Sequence, residues 1–320
     1  RGPSMLKPMA FLGRERELAQ LVEAVRRVAE GRLGRVVLTG PAGIGCTRLL
    51  DELSARVSEV PGILACRGRA YEPAAGMPYQ AVADALACSL ERLPDERLAQ
   101  VIGASAADLV ALVPGLARRL DAMNIDRSPP TLSAPDQLGS RVLESILGTL
   151  ERLAGDGVLL LMLEDLHAAD PATRRFIDTL YDVGTSLPIC LVITYQPAEV
   201  HRRHPMQALA DRVAADPDVV HMQLGPLGPA QIEQLVTDAL GEKPPGNALT
   251  AVIEGARGVP LLALELARSA GSLQGVRLSD PFDQLYGARV ESLSRDAARV
   301  VRAMACLLYT SDAADESSSV

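Results

Sequence analysis

Apolar residues along this chain follow two alternating spacings. Short apolar runs recur at Arg35–Thr39, Ile63–Cys66, Val158–Leu163, Ile189–Thr194 and Val219–Leu224. Runs of this length, rich in Val, Ile and Leu and closed by Gly, Pro or a charge, predict buried strands. Between them the apolar positions fall at helical spacing. Leu49, Leu50, Leu53 and Val57 mark a helix after the first strand, and Gln137–Leu153 reads as a long amphipathic one. Tyr79–Leu120 reads as helical with breaks at Pro94 and Pro114, and Pro171–Tyr181 as a helix with proline at its first position. Arg127–Pro135 holds three prolines and reads as a loop.

After Pro226 the strand pattern stops, and Pro229–Leu240, Ala248–Ala256, Pro260–Ala270 and Asp283–Leu293 all read as helices. Strands alternating with helices predict a parallel sheet covered by helices, a three-layer αβα domain over residues 1–225. A small all-α domain is expected over residues 226–290.

Composition narrows the class. The chain is 48% hydrophobic and 22% charged, as in soluble globular proteins. With 3% aromatics and no Trp, its core must come from Leu, Val, Ile and Ala. No apolar run approaches the ~20 residues that span a bilayer, and no signal-peptide pattern opens the chain. The expectation is a cytoplasmic protein with no membrane partner. A net charge of −8 argues against a nucleic-acid surface, which needs a basic stripe, so DNA contact is expected only through a further C-terminal domain. Lysine occurs only at Lys7 and Lys243. Cys46, Cys66, Cys88, Cys190 and Cys306 form no CxxC pair and read as reduced thiols.

The candidate chemistry sits where the first strand meets the first helix. Gly40-Pro-Ala-Gly-Ile-Gly-Cys-Thr47 follows the phosphate-loop pattern G-x-x-x-x-G-K-[ST], except that Cys46 holds the lysine position. Gly40, Gly43 and Gly45 allow the tight turn that aims N–H groups inward, with Pro41, Ala42 and Ile44 between them. The helix N-terminus adds partial positive charge toward bound phosphate. Thr47 is placed to ligate Mg²⁺ through its hydroxyl. Losing the lysine removes a charge-assisted hydrogen bond of ~1.5–3 kcal/mol, roughly ten- to hundredfold in affinity. Arg48 is a poor substitute, since two helical positions rotate it about 200° away. Cys46 has two readings: an inert small residue, which is preferred, or a thiol whose pKa is lowered by the helix N-terminus.

The strand Val158–Leu163 ends in Glu164-Asp165, followed by His167 and Asp170. An apolar strand ending in two acids suits a Walker B element, with Glu164 on the metal side and Asp165 polarising the attacking water. Asp170 is also a good N-cap for the helix opened by Pro171. His167 reads equally as a site-lining or a packed residue.

Taken in order, Phe11-Leu-Gly-Arg-Glu15, the Gly40–Thr47 loop, Gly68-Arg-Ala-Tyr-Glu72 with Pro78-Tyr79, Leu163–Asp170, Thr194-Tyr-Gln-Pro197, Leu224-Gly-Pro-Leu227, Gly258-Val-Pro260 and Arg289-Val-Glu-Ser-Leu293 resemble the STAND class of P-loop ATPases. Within it the chain is similar to the N-terminal module of large ATP-binding LuxR-type transcriptional regulators and of related cyclase-linked ATPases, over Phe11–Ala305. The resemblance implies a P-loop NTPase fold with a helical lid, ATP/ADP and Mg²⁺ as cofactors, and self-association through the ATPase module. It implies that Gly13 and Arg14 lie against the adenine, with a plain helix start as the alternative. It implies that the Pro260 turn closes over the nucleotide, with a helix-initiating proline as the alternative. Residues 291–305 resemble the start of a truncated winged-helix region, and Cys306–Glu316 are similar to a translated sequencing adaptor, leaving 306–320 outside the fold.

Three departures bear on activity. The family has Lys at Cys46, Trp at Ala169 and, where Gln196 stands, an Arg that probes the γ-phosphate; the change from Asp to Glu164 is mild. The expected function is an ATP/ADP-binding regulatory module with weak hydrolysis. The alternatives are a catalytically dead scaffold of the same fold and, third, a DNA-loading ATPase, which the acidic charge disfavours.

Overall fold

The computed structural model describes residues 11–30, 34–71, 78–128, 137–155, 157–183 and 187–269. The expected helix at Asp283–Leu293, the region 291–305 and the segment from Cys306 lie outside these described residues, as do Lys7 and Glu72. The chain divides into two compact units, one of them Phe11–Gly225, with the described part of the other starting at Pro226.

The first unit runs α1 (Glu15–Ala29), β1 (Gly34–Thr39), α2 (Cys46–Ser58), β2 (Ile63–Arg69), α3 (Gln80–Leu90), α4 (Asp95–Ile102), α5 (Ala106–Leu112), α6 (Ala117–Ala122), α7 (Gln137–Ala154), β3 (Val158–Glu164), α8 (Pro171–Val183), β4 (Ile189–Tyr195), α9 (Gln207–Ala215) and β5 (Val220–Gln223). Two of these, α1 and α9, go beyond the elements expected from the sequence. In α1 the signal is present, because Leu18, Leu21, Val25 and Val28 recur on one buried face. α9 is a short helix of nine residues that buries only Leu209, Ala210 and Val213. The helical stretch after Tyr79 is also more broken than its two prolines imply. Gly103, at φ 51, ends α4, and Arg152 donates to the Val101 and Ile102 carbonyls left without helical partners there.

All strand pairs are parallel, in the order β2-β3-β4-β1-β5. β3, flanked by β2 and β4, is buried at all seven positions, as a strand covered on both faces must be. At the edge, β5 exposes His221 and Gln223 while burying Met222. Adjacent strand residues point to opposite faces, and β2 shows what covers each. Arg67 reaches α2, whereas a Cβ on Gly68 would lie 1.7 Å from the Ala81 carbonyl oxygen of α3. The sheet is therefore sandwiched between helical layers, an α/β fold of the P-loop NTPase kind. Asp108, buried between α5 and α7, is answered by Arg141 and Ser145.

The second unit, as far as it is described, packs α10 (Pro229–Leu240), α11 (Gly246–Ala256) and α12 (Pro260–Ser269) together. The Gly228 N–H donates to the Gln231 side chain, closing the start of α10. Gly258, at φ 78, allows the turn before α12 to approach Leu227, whose N–H donates to the Gly258 carbonyl. Among the described residues no helix is long and apolar enough to cross a membrane.

Candidate functional site

Parallel strands bring their carboxyl ends to one edge, the usual place for a ligand crevice in α/β folds. Here β1 delivers Gly40, β3 delivers Glu164 and Asp165, β4 delivers Gln196, and β2 delivers Arg67 and Arg69. Register makes this concrete: Arg69 pairs with Glu164, and Thr39 pairs with Tyr195.

The Gly40–Thr47 loop folds around a buried anchor. Ile44 is 2% exposed, and its N–H donates to the Pro41 carbonyl at 3.2 Å. A Cβ on Gly40 would come within 2.6 Å of Ile44 Cγ2, so glycine is required for this close approach. Gly43 (φ 74) and Gly45 (φ 109) occupy backbone conformations that L side chains rarely adopt. Gly45 is the N-cap of α2, and no side chain caps that end. The first N–H groups of α2 are thus left for an acceptor from outside the helix.

Just behind the loop, the Thr47 hydroxyl donates to Glu164 Oε2 at 2.7 Å, tying α2 to β3. Arg67 Nε donates to Glu164 Oε1 at 2.5 Å. The same guanidinium pairs with Asp51 and donates to the Thr47 carbonyl at 3.3 Å. Burial alone would lower the Arg67 pKa, but hydrogen bonds and charge from Glu164 and Asp51 outweigh it and hold the group protonated. Asp165 adopts a left-handed backbone (φ 56), a region that tolerates Asp better than most residues. Its N–H donates to Thr194 Oγ1, and its carboxylate pairs with Arg69 at 2.6 Å. Gln196 follows β4, and its N–H donates to His167 Nδ1 at 3.4 Å, which places His167 at this same edge.

Arg67 and Arg69 are absent from the sequence-derived site. Their signal is visible in retrospect, as two arginines flank Gly68 at the end of an otherwise apolar strand, and period two puts both on one face.

The redox reading of Cys46 is overturned. Burial, then the negative charges of Asp165 and Glu164, push its thiol up to about 11, although Arg14 pulls the other way. Burial and the two acids together keep Cys46 a protonated thiol at neutral pH. Arg48 pairs with Glu52 and lies over the Phe11 ring, consistent with its expected turn away from the loop.

Gly13 and Arg14 sit at the start of α1. The Gly13 N–H donates to Glu15, and the buried Arg14 guanidinium pairs with Glu17 and donates to the Gly225 carbonyl. The contacts of Arg14 are thus both local, to Glu17, and distant, to Gly225 at the other end of the unit. Pro260 opens α12 in the second unit. Asp170 does more than cap one helix. Its carboxylate accepts the Thr173 N–H and hydroxyl in α8, and the N–H groups of Tyr79 and Gln80 at the start of α3.

The loop suits phosphate, but the acids behind it do not fit a divalent cation as they stand. Both Glu164 oxygens are engaged, one by a fixed positive guanidinium, and the carboxylate side chain is only 4% exposed. Among the described residues no group of three or more His, Cys, Asp or Glu is placed to hold a metal ion.

Residues 10–193 match the model of the family described as AAA ATPase domain. Among curated proteins none matches the chain. Among solved structures it is similar to Cdc6p from Pyrobaculum aerophilum, with 19% identity, a TM-score of 0.46 and 85% of this chain covered. The chain spans 64% of that protein's length. It is also similar to Drosophila ORC, solved bound to DNA, with 14% identity, a TM-score of 0.45, and 92% of this chain and 67% of that one covered. A third is the replication initiator DnaA, solved bound to AMPPCP and single-stranded DNA, with 11% identity, a TM-score of 0.41, and 88% and 66% covered.

Proposed function

The chain belongs to the AAA ATPase domain family, and on that premise we propose that it is an ATP/ADP-binding regulatory module of a bacterial signalling ATPase or transcriptional regulator, with weak hydrolysis. The observation that carries this reading is the glycine loop around buried Ile44, which leaves the N-terminus of α2 without a side-chain cap. Gly40, Pro41, Ala42, Gly43, Ile44, Gly45, Cys46 and Thr47 form the phosphate cradle, and their N–H groups with the helix dipole supply the attraction. Gln196 faces the terminal phosphate, Gly13 and Arg14 lie toward the base, and Pro260 belongs to a helical lid. The STAND-like order of motifs supports the regulatory assignment, with self-association through this module and DNA contact through a separate C-terminal domain. The cytoplasm is the compartment this role requires.

Hydrolysis is weak for two reasons. Cys46 stands at the loop position where a lysine would stabilise charge growing on the transferred phosphoryl group, a contribution that matters more in the transition state than in binding. Asp165, the residue that would polarise water, is held in an ion pair with Arg69. The neutral Cys46 is also what favours the second reading, a catalytically dead interaction scaffold that binds nucleotide weakly or not at all. Calorimetric titration with ADP and ATP, alongside phosphate release at saturating ATP, separates the two. The switch reading expects saturable binding with slow turnover. No heat up to millimolar nucleotide leaves the scaffold, and turnover of many per second removes the weak-hydrolysis assignment.

A further inference from the structure

We infer that Arg67 is the standing counter-ion of this site, occupying Glu164 where a divalent cation would otherwise bind, so that nucleotide binding is independent of Mg²⁺. This rests on the reading of the Gly40–Thr47 loop as a nucleotide site.

The geometry is that of a built-in cation. Glu164 is the buried acid nearest the loop, linked to it through the Thr47 hydroxyl on Oε2. Its other oxygen accepts Arg67 Nε at 2.5 Å. The guanidinium is held from two further sides, by Asp51 and by the Thr47 carbonyl, both on α2. It therefore sits between the phosphate-loop helix and the acidic strand, the gap a cation must fill to neutralise Glu164. A guanidinium keeps its proton throughout the physiological range.

Mg²⁺ demands near-octahedral oxygen ligands at 2.0–2.1 Å and gives up water reluctantly. To use Glu164 it must either displace Arg67 from a charge-assisted bond or settle two positive charges beside a third. The neutral Cys46 fits this arrangement. With lysine absent, Arg67 is the positive side chain in direct contact with the acid behind the loop. Burial is graded in the sense this role requires: the Glu164 side chain is 4% exposed and that of Arg67 26%, so the acid is sealed while the guanidinium opens to solvent.

A purely structural ion pair would hold β2, β3 and α2 together and leave the metal dependence of binding unaltered. The two cases separate by calorimetry of ADP with the full chain, in millimolar Mg²⁺ and in EDTA. Wild-type affinity is expected to agree within about twofold between the two conditions. Arg67→Met uncovers Glu164 beside the phosphates. Its affinity in EDTA should fall roughly ten- to hundredfold, the worth of a charge-assisted bond, and Mg²⁺ should restore much of the loss. Arg67→Lys keeps the charge and should keep the metal independence. Paramagnetic resonance of Mn²⁺ reads the metal directly: wild-type protein with ADP should immobilise no more Mn²⁺ than ADP alone, and Arg67→Met should immobilise more. Wild-type binding that weakens more than about tenfold in EDTA overturns the inference and leaves the nucleotide site standing. No binding in either condition overturns both. The wild-type comparison needs no variant, so a misfolded Arg67→Met does not blunt the test.

Discussion

The Thr47 hydroxyl donates to Glu164 Oε2 at 2.7 Å, joining the first turn of α2 to the end of β3. Glu164 is 3% exposed, so a lost partner leaves a buried charge less well solvated. Thr47→Val is expected to destabilise the first unit by about 1–2 kcal/mol, while Thr47→Ser keeps the bond and most of the stability. Urea unfolding of the three proteins reads the difference. Equal midpoints for Val and Ser would mean that the bond contributes nothing.

Burial, together with the negative charges of Asp165 and Glu164, pushes the Cys46 thiol up to about 11. The same field welcomes a cation. Cys46→Lys is therefore expected to tighten ADP and ATP binding by roughly ten- to hundredfold, and Cys46→Ser to leave it near the wild-type value. Calorimetry on the pair checks this, and an unchanged affinity for the lysine variant would place the phosphates elsewhere.

Much of the fold is legible in the sequence because burial writes itself into apolar spacing. β1, β3 and β4 lie within one residue of the runs that predict them, and the glycine loop falls between β1 and α2, where the sequence puts it. What is missed is polar. β2 is expected to stop at Cys66, yet it continues through Arg67-Gly68-Arg69, because the two arginines there pair with Glu164 and Asp165 and carry no apolar signal. Arg67 becomes meaningful only through its pairing with residues 16 and 97 positions away, a relation that no local pattern carries. The same holds for Asp170, legible as the cap of α8 but not as the acceptor for α3.

Asp170 bridges two helix starts. Burial would raise its pKa, but hydrogen bonds from Thr173, Tyr79 and Gln80 outweigh it and hold the carboxyl below the usual range. Asp170→Ala removes two caps at once and is expected to cost about 2–4 kcal/mol. The pH dependence follows in sign. A carboxylate with a depressed folded pKa stabilises fully above its unfolded pKa of about 3.9, and that stability is lost as pH falls through the folded value. The stability gap between wild type and Asp170→Asn should thus shrink as pH drops from 4 toward 2, measured by urea titration at each pH. A gap that is flat across this range would contradict the assignment.

Gly68 lets β2 lie against α3, where a Cβ would meet the Ala81 carbonyl oxygen at 1.7 Å. Gly68→Ala forces the helix outward and is expected to cost about 1–3 kcal/mol, read as a lower Tm. Because Arg67 and Arg69 flank this position, the same variant should also weaken nucleotide binding. An unchanged Tm would mean that α3 shifts freely and does not set the position of the strand end.

The nucleotide reading places the phosphates in the Gly40–Thr47 loop. Hydrogen exchange of the backbone amides, with and without millimolar ADP, tests it most directly. Slower exchange is expected for the amides of Gly43, Gly45, Cys46 and Thr47 when ADP is present. Saturating ADP that leaves these amides exchanging at their free rate would contradict it.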